Sequence, residues 1–168
     1  MTMILRALKF SNRKHHGQVR KGSGAAYVTH PIAVSYLVAA YKRSKHLEEL
    51  ISAALLHDAL EDTDATFIEI ARNFTPLVAS LVLELSNDVE QIEKVGKLEY
   101  QKKKMLGMSS YGLIIKLADR LHNISDHPTA KMVADTIVLL EFLKKNRKLS
   151  KTHKAIIVDI MKLCDETL

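Results

Sequence analysis

The chain has 168 residues, 47% of them hydrophobic and 26% charged, the balance of a soluble globular protein with room for a sizeable core. Its formal charge of +6 favours polyanionic partners, yet it has no tryptophan and only 5% aromatics, too few for the stacking platforms that bind long nucleic acid. A single cysteine, Cys164, excludes an internal disulfide, and the first ten residues lack a signal-peptide core, so a cytoplasmic protein is expected, with Cys164 as plain packing.

Strand signals are nearly absent and the periodicity is helical throughout. That predicts an all-α fold, one compact domain over residues 1–168 built as a bundle of about eight or nine helices. Leu5 and Leu8 begin a first helix running to about His16, and Gly17 with Gly22-Ser23-Gly24 predicts a loop. Residues 22–41 carry no formal charge, but those glycines and the His30-Pro31 interruption argue against a membrane span. Pro31 suits the first position of a helix over Ile32 to Tyr41, because its missing N–H would be unpaired there anyway. A third helix is predicted over 46–60, with Leu47, Leu50, Ile51, Ala54 and Leu55 as its apolar stripe.

Thr66 followed by Glu69 fits a capping box, and Thr75-Pro76 fits an N-cap with proline next. Ser86 to Gly96 is polar and reads as a loop. Ser109 or Ser110 can cap a helix through Leu113, Leu117 and Leu121. Pro128 opens another to about Lys145, and Ser150 can cap the last. Lys144, Lys145, Arg147, Lys148, Lys151 and Lys154 crowd the late stretch and read as a solvated helix end.

Chemistry concentrates in Ala53-Ala54-Leu55-Leu56-His57-Asp58-Ala59-Leu60-Glu61-Asp62-Thr63. An apolar helix ending in four ionisable groups needs partners for them, since burying them unpaired is expensive. On a continuous helix Glu61 lies about 40° around the axis from His57, and Asp62 about 40° from Asp58. Three adjacent carboxylates repel unless a cation neutralises them, and imidazole with carboxylate suits Mn²⁺, Fe²⁺ or Zn²⁺. Two further ligands stand out: His30 before Pro31, and Asp119 in the apolar run Ile114 to Asn123. The set His30, His57, Asp58 and Asp119 offers two nitrogens and two carboxylates, with positions left for water and a phosphate oxygen. Each piece alone has a plainer reading: a structural His-Asp pair, a surface or capping histidine, an acid paired with Arg120 or a lysine.

Three segments, in order, resemble the HD-domain hydrolase of the RelA/SpoT family, especially its small alarmone hydrolases. They are Gly17 to Lys21 with Tyr27 to Pro31, then Ala53 to Thr63, then Lys116 to Asn123. The resemblance spans roughly residues 2–165 and leaves no room for the synthetase region of the bifunctional relatives. It implies hydrolysis of the 3′-pyrophosphate of (p)ppGpp to GDP or GTP and pyrophosphate. It also implies Mn²⁺ on His30, His57, Asp58 and Asp119, with Glu61 and Asp62 acting on the attacking water and the phosphates. Arg20 and Lys21 match the family's nucleotide-contacting pair, Asn123 matches a residue near ribose and base, and Lys97 and Lys102 to Lys104 match a region where relatives carry basic residues.

Some positions depart from the family. Gly24-Ala25-Ala26-Tyr27 stands where Gly-Glu-Pro-Tyr is common, and Ser125 and Asp126 stand where Arg and Thr are frequent. These departures bear on base preference, so an adenosine alarmone or NADPH is an alternative substrate. A different HD phosphohydrolase releasing orthophosphate, or a non-catalytic alarmone- or RNA-binding module, is the rival class. The Glu61-Asp62 pair argues against a pure binder, which needs no acid to position water.

Overall fold

The structure is a computed structural model and describes residues 1–167. The chain divides into two compact units, Met1–Ser86 and Asn87–Leu168. Among the described residues there are eleven helical segments and no sheet. Counting α3 with α4, and α7 with α8, as broken pairs brings these to nine, the all-α bundle expected.

In the first unit the segments are α1 (Met3–Lys14), α2 (Thr29–Tyr41), α3 (Leu47–Leu56), α4 (Ala59–Asp62), α5 (Phe67–Asn73) and α6 (Pro76–Leu85). The centre is α3, which packs against α1, α2 and α6. It can do so because Leu50, Ala53, Ala54, Leu55 and Leu56 are all buried, with alanines letting neighbouring backbones approach. Truncating Leu56 to alanine there would cost about 2–5 kcal/mol. The caps follow the sequence: Thr66 and Glu69 form the reciprocal capping box of α5, and the Thr75 hydroxyl accepts from Val78 N with Pro76 next in α6.

Two boundaries differ from expectation. Helix α2 begins at Thr29, so Pro31 is its third residue, still within the first turn where proline removes no hydrogen bond. The helix predicted over 46–60 stops at Leu56, and α4 restarts at Ala59 after a turn at His57 and Asp58. The apolar stripe runs through this break, so periodicity could not reveal it.

The second unit holds α7 (Val89–Val95), α8 (Lys97–Gly107), α9 (Ser110–Ser125), α10 (Ala130–Asn146) and α11 (Lys151–Thr167). Here α9 packs on α10 and α11, while α8 packs on α7 and α10. Residues 89–95 form a helix rather than the loop expected of the polar stretch 86–96. None of them is buried, so no apolar stripe announced it; the Asp88 carboxylate caps it by accepting from Gln91 N. Gly96, at φ 82°, then turns the chain into α8. Helix α10 opens at Ala130, capped by Thr129, rather than at Pro128 as expected.

The late basic run is largely exposed, as read, but Arg147 is not merely solvated. Its guanidinium donates to the carbonyls of Met105, Leu106 (3.0 Å) and Met108 (2.6 Å), at the carbonyl end of α8. Cys164 is fully buried, and burial pushes its thiol pKa up, as expected of inert packing. No described helix is long and apolar enough to cross a membrane.

Lys14, at the end of α1, donates to Asp64 (3.0 Å) and Glu69 (3.1 Å), fastening α1 to the connection between α4 and α5. The hydrogen bond from Lys14 holds Asp64 below its ordinary 3.8, and the Thr66 backbone N–H, then Lys14, hold Glu69 below 4.5. Depressed carboxyl pKa values stabilise the fold above the unfolded-state values, and that contribution disappears as pH falls through the folded ones. The melting-temperature gap between wild type and Lys14→Met is therefore expected to stay constant from about pH 5 to 8 and to close below about pH 4. Thermal melts across that range check it; a gap unchanged at pH 3 would show that the ion pairs are not its source.

Candidate metal centre

The first unit brings three of the expected ligands together. His30 lies in the opening turn of α2, where its N–H bonds to Tyr27 O at 2.9 Å. His57 and Asp58 form the break between α3 and α4. The His57 Nδ1–H donates to the Ala54 carbonyl at 2.7 Å, which fixes the tautomer and leaves Nε2 as the ligand nitrogen. His57 Nε2 stands 3.1 Å from Asp58 Oδ2, and His30 Nε2 stands 3.5 Å from the same oxygen. Both imidazoles are 1% exposed, so water does not relieve the arrangement.

Nitrogen lone pairs facing a carboxylate oxygen repel one another, so a proton or a cation belongs among them. The spacing fits a metal ion. For metal–ligand bonds of about 2.1 Å, neighbouring ligand atoms stand roughly 3.0–3.4 Å apart. Two imidazole nitrogens and a carboxylate form a suitable donor set for a divalent transition metal.

The two remaining acids separate. Asp62, in α4, joins Asp58 through Tyr27, whose hydroxyl lies 2.7 Å from Asp58 Oδ2 and 2.9 Å from Asp62 Oδ2. Burial, then the charges of Asp58 and Asp62, push the Tyr27 phenol far above its ordinary pKa. Tyr27 therefore remains a neutral donor with one proton between two carboxylates. Glu61 is exposed in the same short helix. Tyr27 was read only as part of a motif; its place three residues before His30, in the turn that starts α2, was the available signal.

Arg20 and Lys21 sit on a loop closed by an isolated bridge between Val19 and Ala26. Its stem is tied by Tyr27 N to Gln18 O (2.9 Å) and Arg20 N to Ala25 O (2.8 Å), while Gly22 and Gly24 take left-handed φ values of 100° and 70°. The Arg20 guanidinium lies 5.9 Å from the Tyr27 ring centroid, and Lys21 is exposed.

In the second unit Asp119 is buried on α9 with two donors from its own helix, Lys116 Nζ at 3.1 Å and Asn123 Nδ2 at 2.6 Å. Asn123 thus shares a face with Asp119, as its one-turn spacing implied. Asp119 pairs with Lys116 rather than Arg120, which reaches Thr136. Lys102 bonds to Glu99 at 2.7 Å and lies over the Phe142 ring. Lys97 borders a cleft of about 200 Å³ with Arg120, Lys131 and Asp135, which Asp119 does not line. These lysines belong to α8. Ser125 is exposed and donates to the His122 carbonyl at 2.8 Å, and Asp126 caps α9. A groove of about 810 Å³ beside α11, floored by Leu149, Ile157 and Met161, contains none of the expected site residues.

Residues 7–142 match the HD domain family. The guanosine-3′,5′-bis(diphosphate) 3′-pyrophosphohydrolase of Spiroplasma citri is 35% identical over 153 residues, covering 84% of this chain and 19% of that protein. The enzyme of the same name designated MESH1 in Homo sapiens is 35% identical over 124 residues, covering 73% of this chain and 68% of that protein; its Danio rerio counterpart is 34% identical over 125. A solved structure described as a metazoan ortholog of SpoT that hydrolyses ppGpp superposes with a TM-score of 0.81 at 26% identity, covering 99% of this chain and 96% of that one. The chain belongs to the HD-domain family. Within it, the chain is of the RelA/SpoT hydrolase type, spanning about a fifth of the long relative and two thirds of the short ones.

If the cluster in the first unit holds a divalent ion, chelator-treated protein should gain thermal stability when the ion returns. At about 100 times the dissociation constant the gain is about 2.7 kcal/mol. His57→Gln is expected to abolish the shift in melting temperature, and an equal shift in that variant would rule this site out.

Proposed function

We propose that the chain hydrolyses (p)ppGpp, removing the 3′-pyrophosphate to leave GDP or GTP, with Mn²⁺ as its cofactor. The observation that carries this is the convergence of His30 and His57 on Asp58, with Asp62 joined to Asp58 through Tyr27. Relatives named for this reaction at 34–35% identity support it.

In this reading His30, His57 and Asp58 hold the ion, and Asp119 is taken as a further ligand from the sequence motif. The ion, when bound, supplies Lewis acidity: it lowers the pKa of water and draws charge from a phosphoryl oxygen. The protein's own residues do the remaining work. His57 is held in one tautomer by Ala54, so its nitrogen is available without rearrangement. Tyr27 keeps the Asp62 carboxylate beside Asp58, where it can orient a nucleophile or bind its proton. Glu61, exposed one residue earlier, is the second acid available for the attacking water. Arg20 can stack on a purine while Lys21 adds a point charge for phosphate. Asn123 is assigned to ribose and base, and Lys97 and Lys102 to phosphate. The Glu99 partner of Lys102 makes Lys102 the weaker of the two.

Incubation with Mn²⁺ and ppGpp or pppGpp, followed by chromatography, is expected to show pyrophosphate with GDP or GTP. Orthophosphate instead would assign a different phosphohydrolase chemistry, and turnover of an adenosine alarmone or NADPH in its place would reassign the base. Asp58→Ala should lose both metal and turnover. Glu61→Ala should keep the metal and lose at least about 100-fold in rate. Full activity in both variants would refute the site.

A further inference from the structure

Two residues that hold Tyr27 and Asp62 in place, His15 just after α1 and Gln18 within the Gly17–Lys21 segment, have so far been given no role. His15 follows α1 and is 2% exposed. Its ring stacks on that of Tyr27, with centroids 4.8 Å apart and planes 29° apart. Three residues on, Gln18 Nε2 donates to the Asp62 main-chain carbonyl at 2.6 Å.

These contacts fix the protons. A carbonyl only accepts, so the nitrogen of the Gln18 amide faces Asp62 and its oxygen faces His15. Gln18 Oε1 lies 2.7 Å from His15 Nδ1, which must therefore carry hydrogen. The other ring nitrogen, Nε2, is buried without a hydrogen-bond partner among the described residues. A core chosen for stability alone has no use for such an atom, since an apolar side chain would fill the space without the desolvation penalty. What this ring does offer is a flat face for Tyr27 and a donor for Gln18.

Gln18 holds the site twice. Its side chain grips Asp62, and its carbonyl accepts from Tyr27 N at 2.9 Å. We propose that His15 and Gln18 are a positioning pair that sets the Tyr27 hydroxyl and the Asp62 carboxylate against Asp58. They act through those residues rather than on the substrate. The proposal rests on Asp58 being a metal ligand and Asp62 a participant in hydrolysis.

The test combines Mn²⁺ affinity, measured by paramagnetic resonance of the free ion, with kcat, KM and melting temperature. Gln18→Leu is expected to lower kcat by about tenfold or more with KM within about twofold. His15→Asn keeps a donor for Gln18 but removes the stacked ring, and should weaken Mn²⁺ binding by about tenfold, as Tyr27→Phe also should. Because His15 works through Tyr27, the His15→Asn/Tyr27→Phe double variant should bind Mn²⁺ no more weakly than Tyr27→Phe alone. His15→Phe, which keeps a ring but no donor, should resemble Gln18→Leu and serves if His15→Asn does not fold. Lys14→Met, which loosens the same end of α1 without touching Tyr27, is expected to lower melting temperature only. Additive losses in the double variant, or a lowered melting temperature with kcat and Mn²⁺ affinity within twofold, would overturn the proposal. Wild-type protein that binds no Mn²⁺ would sink the metal reading and this one with it. Wild-type protein that binds Mn²⁺ but leaves ppGpp intact would cost only the substrate, since the affinity comparisons still decide the pair.

Discussion

Two buried imidazole nitrogens turned toward one carboxylate oxygen form the constraint on which the first unit is organised. Neither ring is exposed to water, and with the His57 Nδ1–H committed to Ala54 its Nε2 lone pair faces the Asp58 oxygen, so a proton or a cation belongs between them. Everything that places these atoms must therefore be stiff. α3 supplies the stiffness through a buried leucine–alanine surface, then ends so that His57 and Asp58 occupy a turn instead of a helical wall. The opening turn of α2, bonded from Ala26 and Tyr27 to Thr29 and His30, presents the other imidazole.

The interruption of the helix also determines which acids belong with the ligands. On an unbroken helix His57 with Glu61 and Asp58 with Asp62 would be equivalent neighbours. In the structure Asp62 shares Tyr27 with Asp58, while Glu61 faces outward. The two acids that sequence alone left indistinguishable are both exposed, but only Asp62 is joined through Tyr27 to Asp58.

Much of this was legible before any coordinates. Capping signals located α5, where the Thr66 hydroxyl and Glu69 carboxylate satisfy orphan N–H groups reciprocally, and α6, where the Thr75 hydroxyl caps a helix opened by Pro76. The meeting of His57 and Asp58 with His30 was legible because ionisable groups in apolar surroundings require an explanation. What stayed hidden lacked such a signature. α7 has no buried face, so its polar residues looked like a loop. The break after Leu56 left hydrophobic spacing intact. Tyr27, His15 and Gln18 act through contacts between residues far apart in the chain, and no spacing rule reports that a phenol will bridge two carboxylates. Lys102 looked available to phosphate because its charge was visible and its attachment to Glu99 was not. Arg147 likewise read as surface charge, although it closes the carbonyl end of α8.

The loop carrying Arg20 and Lys21 has a foundation and a crest of different character. Its foundation, Gln18 and Tyr27, is the masonry beside Asp58 and Asp62, whereas Lys21 to Ala25 are exposed and held chiefly by backbone bonds and two left-handed glycines. Lys21, Ser23 and Ala25 can be exchanged without disturbing the carboxylates below, whereas Gly22 and Gly24 are kept by their left-handed backbone. A change at 18 or 27, by contrast, reaches Asp62 and Asp58 directly, so the loop couples a tolerant rim to an intolerant base.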